Sequence, residues 1–142
     1  MGPLIDTTTE FGARAARRLQ EDTVGWLVTV SSDGTPQPNP VWFSWDGESI
    51  LVYSEPGQAK LRNVEANPRV ALHLDSRSSG DDIVIVIADA AIDRTAPPVH
   101  QNDAYATKYD SEMARLGLGP PDKMAETYSV AIRLVPTKVR GF

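Results

Sequence analysis

Cysteine is absent from this chain of 142 residues, which excludes a disulfide framework, a thiolate metal site and cysteine nucleophile chemistry. Histidine is scarce: His73 and His100 stand far apart with no HxxxH spacing, so no zinc site is expected. Basic residues are outnumbered, 14 against 19 acidic ones, for a net charge of −5. That balance argues against a nucleic-acid partner, which needs an excess of Lys and Arg to neutralise phosphates. Any anion must therefore be held by a local basic patch. No apolar run approaches a membrane span, and the opening MGPLIDTTTEFGARAARR lacks the charged-then-apolar order of a signal peptide. The expected address is cytoplasmic, with no membrane partner. Also missing are GxxxxGK[ST], GxGxxG, a Ser-His-Asp order and a defensible carboxylate pair, so no catalytic side chain is assigned.

The chain carries no repeat and no interdomain linker, and its length suits a single domain over residues 1–142. Thr8 or Thr9 can cap a first helix from Glu10 to Glu21, with Phe11, Ala15 and Leu19 on its apolar stripe. Strands are expected over Val24–Val30, Val41–Trp45 and Ile50–Ser54, forming a three-strand meander. A short helix over Gln58–Ala66 ends at Asn67-Pro68. Val70, Leu72 and Leu74 alternate along a fourth strand, and the β-branched run from Ile83 reads as a strand buried on both faces. A second helix spans about Asp103–Leu116, ended by the Gly117–Pro121 cluster, and Val130, Ile132 and Leu134 alternate along a last strand. Helices fill gaps rather than follow every strand, which favours an antiparallel barrel with attached helices over a doubly wound sheet.

Two segments break local rules. Pro36, Pro38 and Pro40 alternate in an extended stretch, so their missing N–H groups all face one lateral side. That side suits either a flat ligand or an ordinary strand edge that resists aggregation. In Gln58-Ala-Lys-Leu-Arg-Asn63, Lys60 and Arg62 occupy the first turns of a helix, where the macrodipole disfavours cations. A bound phosphate would reverse that sign; otherwise the two side chains are solvated.

Pro40-Val-Trp-Phe43, Trp45-Asp-Gly47, Ile50-Leu-Val-Tyr-Ser54, Lys60-Leu-Arg-Asn63, Asn67-Pro-Arg-Val70 and the ending Ile132–Arg140 together resemble the pyridoxamine 5′-phosphate oxidase-like superfamily. The likeness is to its actinobacterial branch that uses the deazaflavin coenzyme F420. It implies a mainly β fold, a six-stranded antiparallel split β-barrel of the FMN-binding type, and a homodimer with cofactor sites at the interface. It further implies that Pro40, Val41, Trp42 and Phe43 border the ring system, with Tyr53 and Ser54 near the ring and ribityl chain. Gln58, Ala59, Lys60, Arg62 and Asn63 would hold the phosphate. Trp26, the second helix and the tail near Arg140 are candidates for the second subunit's share. Lys60, Arg62, Lys138 and Arg140 are candidates for the anionic tail of F420. The activity implied is hydride transfer between F420 and a small unsaturated organic substrate. FMN is the alternative cofactor, and a non-catalytic carrier of a flavin or haem is the alternative class.

Overall fold

A computed structural model describes residues 4–142. Helix α1 (Glu10–Glu21) begins where expected, Thr9 accepting the Gly12 N–H, and buries Ala15 and Leu19. Strands β1 (Gly25–Val30), β2 (Pro36–Val41), β3 (Ser44–Trp45) and β4 (Ile50–Ser54) follow, then helix α2 (Ala59–Ala66). Strands β5 (Arg69–Leu74) and β6 (Val84–Ile92) come next, then helices α3 (Asp103–Arg115) and α4 (Pro121–Thr127), and finally β7 (Val130–Gly141).

The strands form one antiparallel sheet in the order β2-β1-β5-β6-β7-β4-β3. Its two edge strands, β2 and β3, are separated only by Trp42 and Phe43. Three Cα steps span at most about 11 Å, so the sheet must roll until its edges meet. This is the expected split barrel, with seven strands rather than six. The expected meander is split into two hairpins, β1 with β2 and β3 with β4, because Val41–Trp45 is two strands broken at the kink; β4 also pairs with β7 on its other side. Period-2 alternation cannot reveal that break, because both halves are extended.

The barrel interior holds Leu27, Val41, Phe43, Ile50, Val52, Leu72, Val84, Val86, Ile132 and Leu134. β6 buries only alternate residues, Ile85 and Ile87 remaining partly exposed on the outer face, which corrects the reading of a strand buried on both sides. A second cluster lies outside the barrel, where Leu51, Tyr53 and Ala131 pack against Tyr105, Tyr109, Met113 and Met124 of α3 and α4. Helix α4 was not expected from the sequence. Its signals are Pro121 in the first turn and Asp122 beside it.

Candidate functional site

β2 pairs with β1 in the register Trp26↔Pro40, Val28↔Pro38 and Val30↔Pro36, and has no neighbour on its other side. A ladder needs N–H groups, which on this strand come from Gln37, Asn39 and Val41. The proline side is therefore the free edge. Both readings of the three prolines meet here, since Pro40 is an edge residue and also lines a cleft of about 280 Å³.

The cleft lies between the β2 end, β4, α2 and the outer helices. Pro40, Val41, Trp42, Tyr53 and Lys60 line it from the first half of the chain, and Tyr105, Leu116, Leu118, Met124 and Tyr128 from the outer helices and the segments beside them. Five residues singled out in the sequence are thus brought into one cavity. The second helix was expected in the site only as the second subunit's share, whereas its Tyr105 and Leu116 lie in this chain's own cleft; Leu118, Met124 and Tyr128 were not expected there.

Lys60 is the only lysine or arginine in the lining. Burial pushes its ammonium below the usual lysine value, partly offset by Glu55. It has no ion-pair partner within 4 Å among the described residues. The first turn of α2 contains no acid and Gln58 gives its N-terminus no side-chain cap, so the orphan N–H groups of Ala59 and Lys60 stay open to an acceptor. Gln58 instead donates to Glu55 at 3.4 Å, and Arg62 donates to the Gly57 carbonyl at 3.0 Å.

Other expected contact residues are engaged within the chain. The Asn63 amide donates to Thr29 Oγ1 at 3.0 Å and to Gln37 Oε1 at 2.9 Å, tying α2 to β1 and β2. Ser54 is buried and donates to the Glu55 carbonyl. Tyr53 donates to the Pro97 carbonyl at 2.6 Å and accepts from Asn102, and burial raises its phenol above the usual value. The Phe43 ring is in the barrel interior, and its backbone is bonded to Lys108 and Tyr109. Trp42 lies outside the barrel and stacks on Tyr109, centroids 4.5 Å apart and planes 6° apart.

The outer sheet face continues from the cleft. One row runs Pro40, Trp26, His73, Ile85, Arg140, and the next Pro38, Val28, Ala71, Ile87, Lys138. Trp26 stacks on His73 and donates to Asp75. Lys138 and Arg140 stand at the β7 end of these rows, four strands from Pro38 and Pro40. Asp82 faces Arg14 at 2.8 Å and Arg18 at 3.5 Å. Among the described residues no cluster of metal-ligating side chains occurs, and no helix is long and apolar enough to cross a membrane.

A single antiparallel sheet rolled until its edges meet, with helices packed outside it, defines the split-barrel class. Residues 11–142 match the pyridoxamine 5′-phosphate oxidase family model, and the chain belongs to that family. Among solved structures it is similar to an F420 reductase at 31% identity, covering 87% of this chain and 94% of that one, TM-score 0.65. A pyridoxamine 5′-phosphate oxidase-like protein from Listeria innocua shares 20% identity over 90% of this chain and 94% of its own, TM-score 0.65. The haem storage protein HutZ from Vibrio cholerae shares 17% over 94% and 95%, TM-score 0.64. The last two establish the fold alone. No curated protein sequence matches the chain.

Proposed function

We propose that this protein is an F420-dependent oxidoreductase, cytoplasmic and homodimeric, acting on a small unsaturated organic substrate. The observation that carries the reading is Lys60: a partly desolvated ammonium, with no carboxylate within 4 Å among the described residues, at the N-terminus of α2 and in the same cleft as Pro40, Trp42 and Tyr53. An anion there restores the solvation that Lys60 loses on folding and satisfies the helix N–H groups. The aromatic and aliphatic side chains in the rest of the lining, among them Trp42, Tyr53, Tyr105 and Met124, fit a ring system. The 31% identical F420 reductase favours deazaflavin over FMN.

When bound, the reduced cofactor supplies a hydride. The chain's own residues do the rest. Lys60 anchors the phosphate, Pro40 and Trp42 hold the ring flat, and Leu116, Leu118, Met124 and Tyr128 exclude water. A cleft of about 280 Å³ is just below the usual range for ligand sites, about 300–1,000 Å³, and takes a ring system rather than a whole dinucleotide-sized cofactor. A second copy seated on Trp26, Val28, Ala71, Ile85 and Ile87 would cover a half-buried apolar face continuous with the cleft at Pro40. It would also enclose the remainder of the ligand.

Titration with F420 and with FMN, followed by cofactor fluorescence, tests the reading. Micromolar F420 binding weakened tenfold or more in Lys60→Ala, about 1.4 kcal/mol, is expected. Failure to bind either cofactor would overturn it, whereas tighter binding of FMN would move the protein to the FMN branch.

A further inference from the structure

The kink at Trp42–Phe43 has no strand beside it, yet Phe43 is fully buried. Its N–H and C=O must find partners or carry the full cost of desolvation. Helix α3 supplies them. Tyr109 Oη accepts the Phe43 N–H at 2.8 Å and donates to the Thr23 carbonyl at 2.7 Å, while Lys108 Nζ donates to the Phe43 carbonyl at 2.9 Å. The Lys108 ammonium also sits 4.0 Å from the Phe43 ring centroid. The Tyr109 ring carries Trp42 in a near-parallel stack on its face. Two adjacent residues of one helix therefore hold the backbone on one side of the kink and the indole on the other.

From this geometry we infer that Tyr109 and Lys108 are positioning residues for the ligand ring, setting the orientation of the Trp42 wall without touching the phosphate end of the cleft. The inference rests on the cleft being the cofactor site. Tyr109 is fully buried, and neither it nor Lys108 is in the cleft lining, whereas Trp42 is. Their influence must pass through Trp42. The arrangement also gives α3 a second role. Tyr105, one turn earlier and in contact with Tyr109 at 4.9 Å between centroids, is itself in the cleft lining and packs edge-on against Tyr53. One helix thereby supplies one lining ring, Tyr105, and orients another, Trp42. A flat ring is the ligand feature this arrangement discriminates, and phosphate is the feature it ignores. The burial that lowers Lys108 to about 8 marks a cation kept at a desolvated place for one carbonyl and one ring face.

The test separates ring from phosphate. Tyr109→Phe keeps the stack and removes the hydroxyl; Lys108→Met removes the second donor and leaves Tyr109 intact, which guards against one variant failing to fold. Affinity is measured for F420, for FMN and for inorganic phosphate, the last by ³¹P line broadening. Each variant is expected to lose about tenfold in affinity for the ring-bearing ligand that the wild type binds. Phosphate affinity should stay within twofold, while Lys60→Ala loses both. Trp42 emission, isolated by subtracting the matching Trp42→Phe protein, should shift in both variants. Unchanged ring affinity with unchanged Trp42 emission would overturn the inference, as would an equal loss of ring and phosphate binding. If the wild type binds neither cofactor, the reading of the cleft fails and the inference with it, and a Trp42 emission shift in both variants then shows only that α3 orients the indole.

Discussion

Asn63→Ala separates a residue that touches the ligand from one that holds the site in place. The Asn63 amide makes two hydrogen bonds, to a Thr29 hydroxyl with no solvent exposure and to Gln37 at the barrel edge. Each such bond contributes about 0.5–1.5 kcal/mol net, and a buried group left unpaired costs about 1–3 kcal/mol. Gln37 can turn to water, so the larger part of the loss falls on Thr29. A destabilisation of about 2 kcal/mol follows for the unliganded protein. For a chain of 142 residues this corresponds to a fall in Tm of roughly 6–8 °C, measured by differential scanning calorimetry without ligand. Replacing Thr29 by Val as well should recover about 1 kcal/mol, because the unpaired hydroxyl is then gone. Cofactor affinity falls too, since α2 is tied to β1 and β2 through this amide and its N-terminus presents Lys60. Unchanged Tm in Asn63→Ala, with affinity reduced, would refute this account and make Asn63 a direct phosphate contact.

The remaining expectations concern charge and assembly. The Arg133 guanidinium, donating to Asp93 at 2.7 Å, together with Thr95, holds the Asp93 carboxyl down at about 2. A carboxyl whose folded value is below its unfolded value stabilises the fold fully above about pH 4, and that contribution disappears as pH falls through about 2. Wild type and Arg133→Met should therefore differ in denaturant midpoint at pH 6 and converge as the acid range is entered; a gap undiminished at pH 2 would count against the pair. Ile87→Lys, placed mid-row on the outer sheet face, should give a monomer by analytical ultracentrifugation and weaken cofactor binding. A wild-type monomer would rule out a site shared between subunits. Lys60→Ala and Tyr109→Phe should diverge in their response to inorganic phosphate.

Much of the fold was legible because it rests on local rules. The cap at Thr9, the stop at Asn67-Pro68, and the alternation of Val70, Leu72 and Leu74 are carried by neighbouring residues, and α1, α2 and β5 form there. Lys60 stood out for an equally local reason: a cation in the first turn of a helix opposes the macrodipole. The proline alternation likewise marked a side of the segment without N–H donors, leaving a flat ligand and an ordinary strand edge both open.

What the tertiary structure alone decided are relations between distant segments. Whether Val41–Trp45 was one strand or two depended on where the sheet closed, and closure is a property of all seven strands. Half of the cleft lining comes from residues 105–128, and no local pattern ties them to a kink more than sixty positions earlier. Asn63 and Phe43 look alike in sequence as members of a ligand motif. Only packing shows that the Asn63 amide and the Phe43 backbone are already engaged by groups 34 and 66 positions away. Side-chain identity determined which groups could bind an anion or a ring; three-dimensional placement decided which were still free to do so.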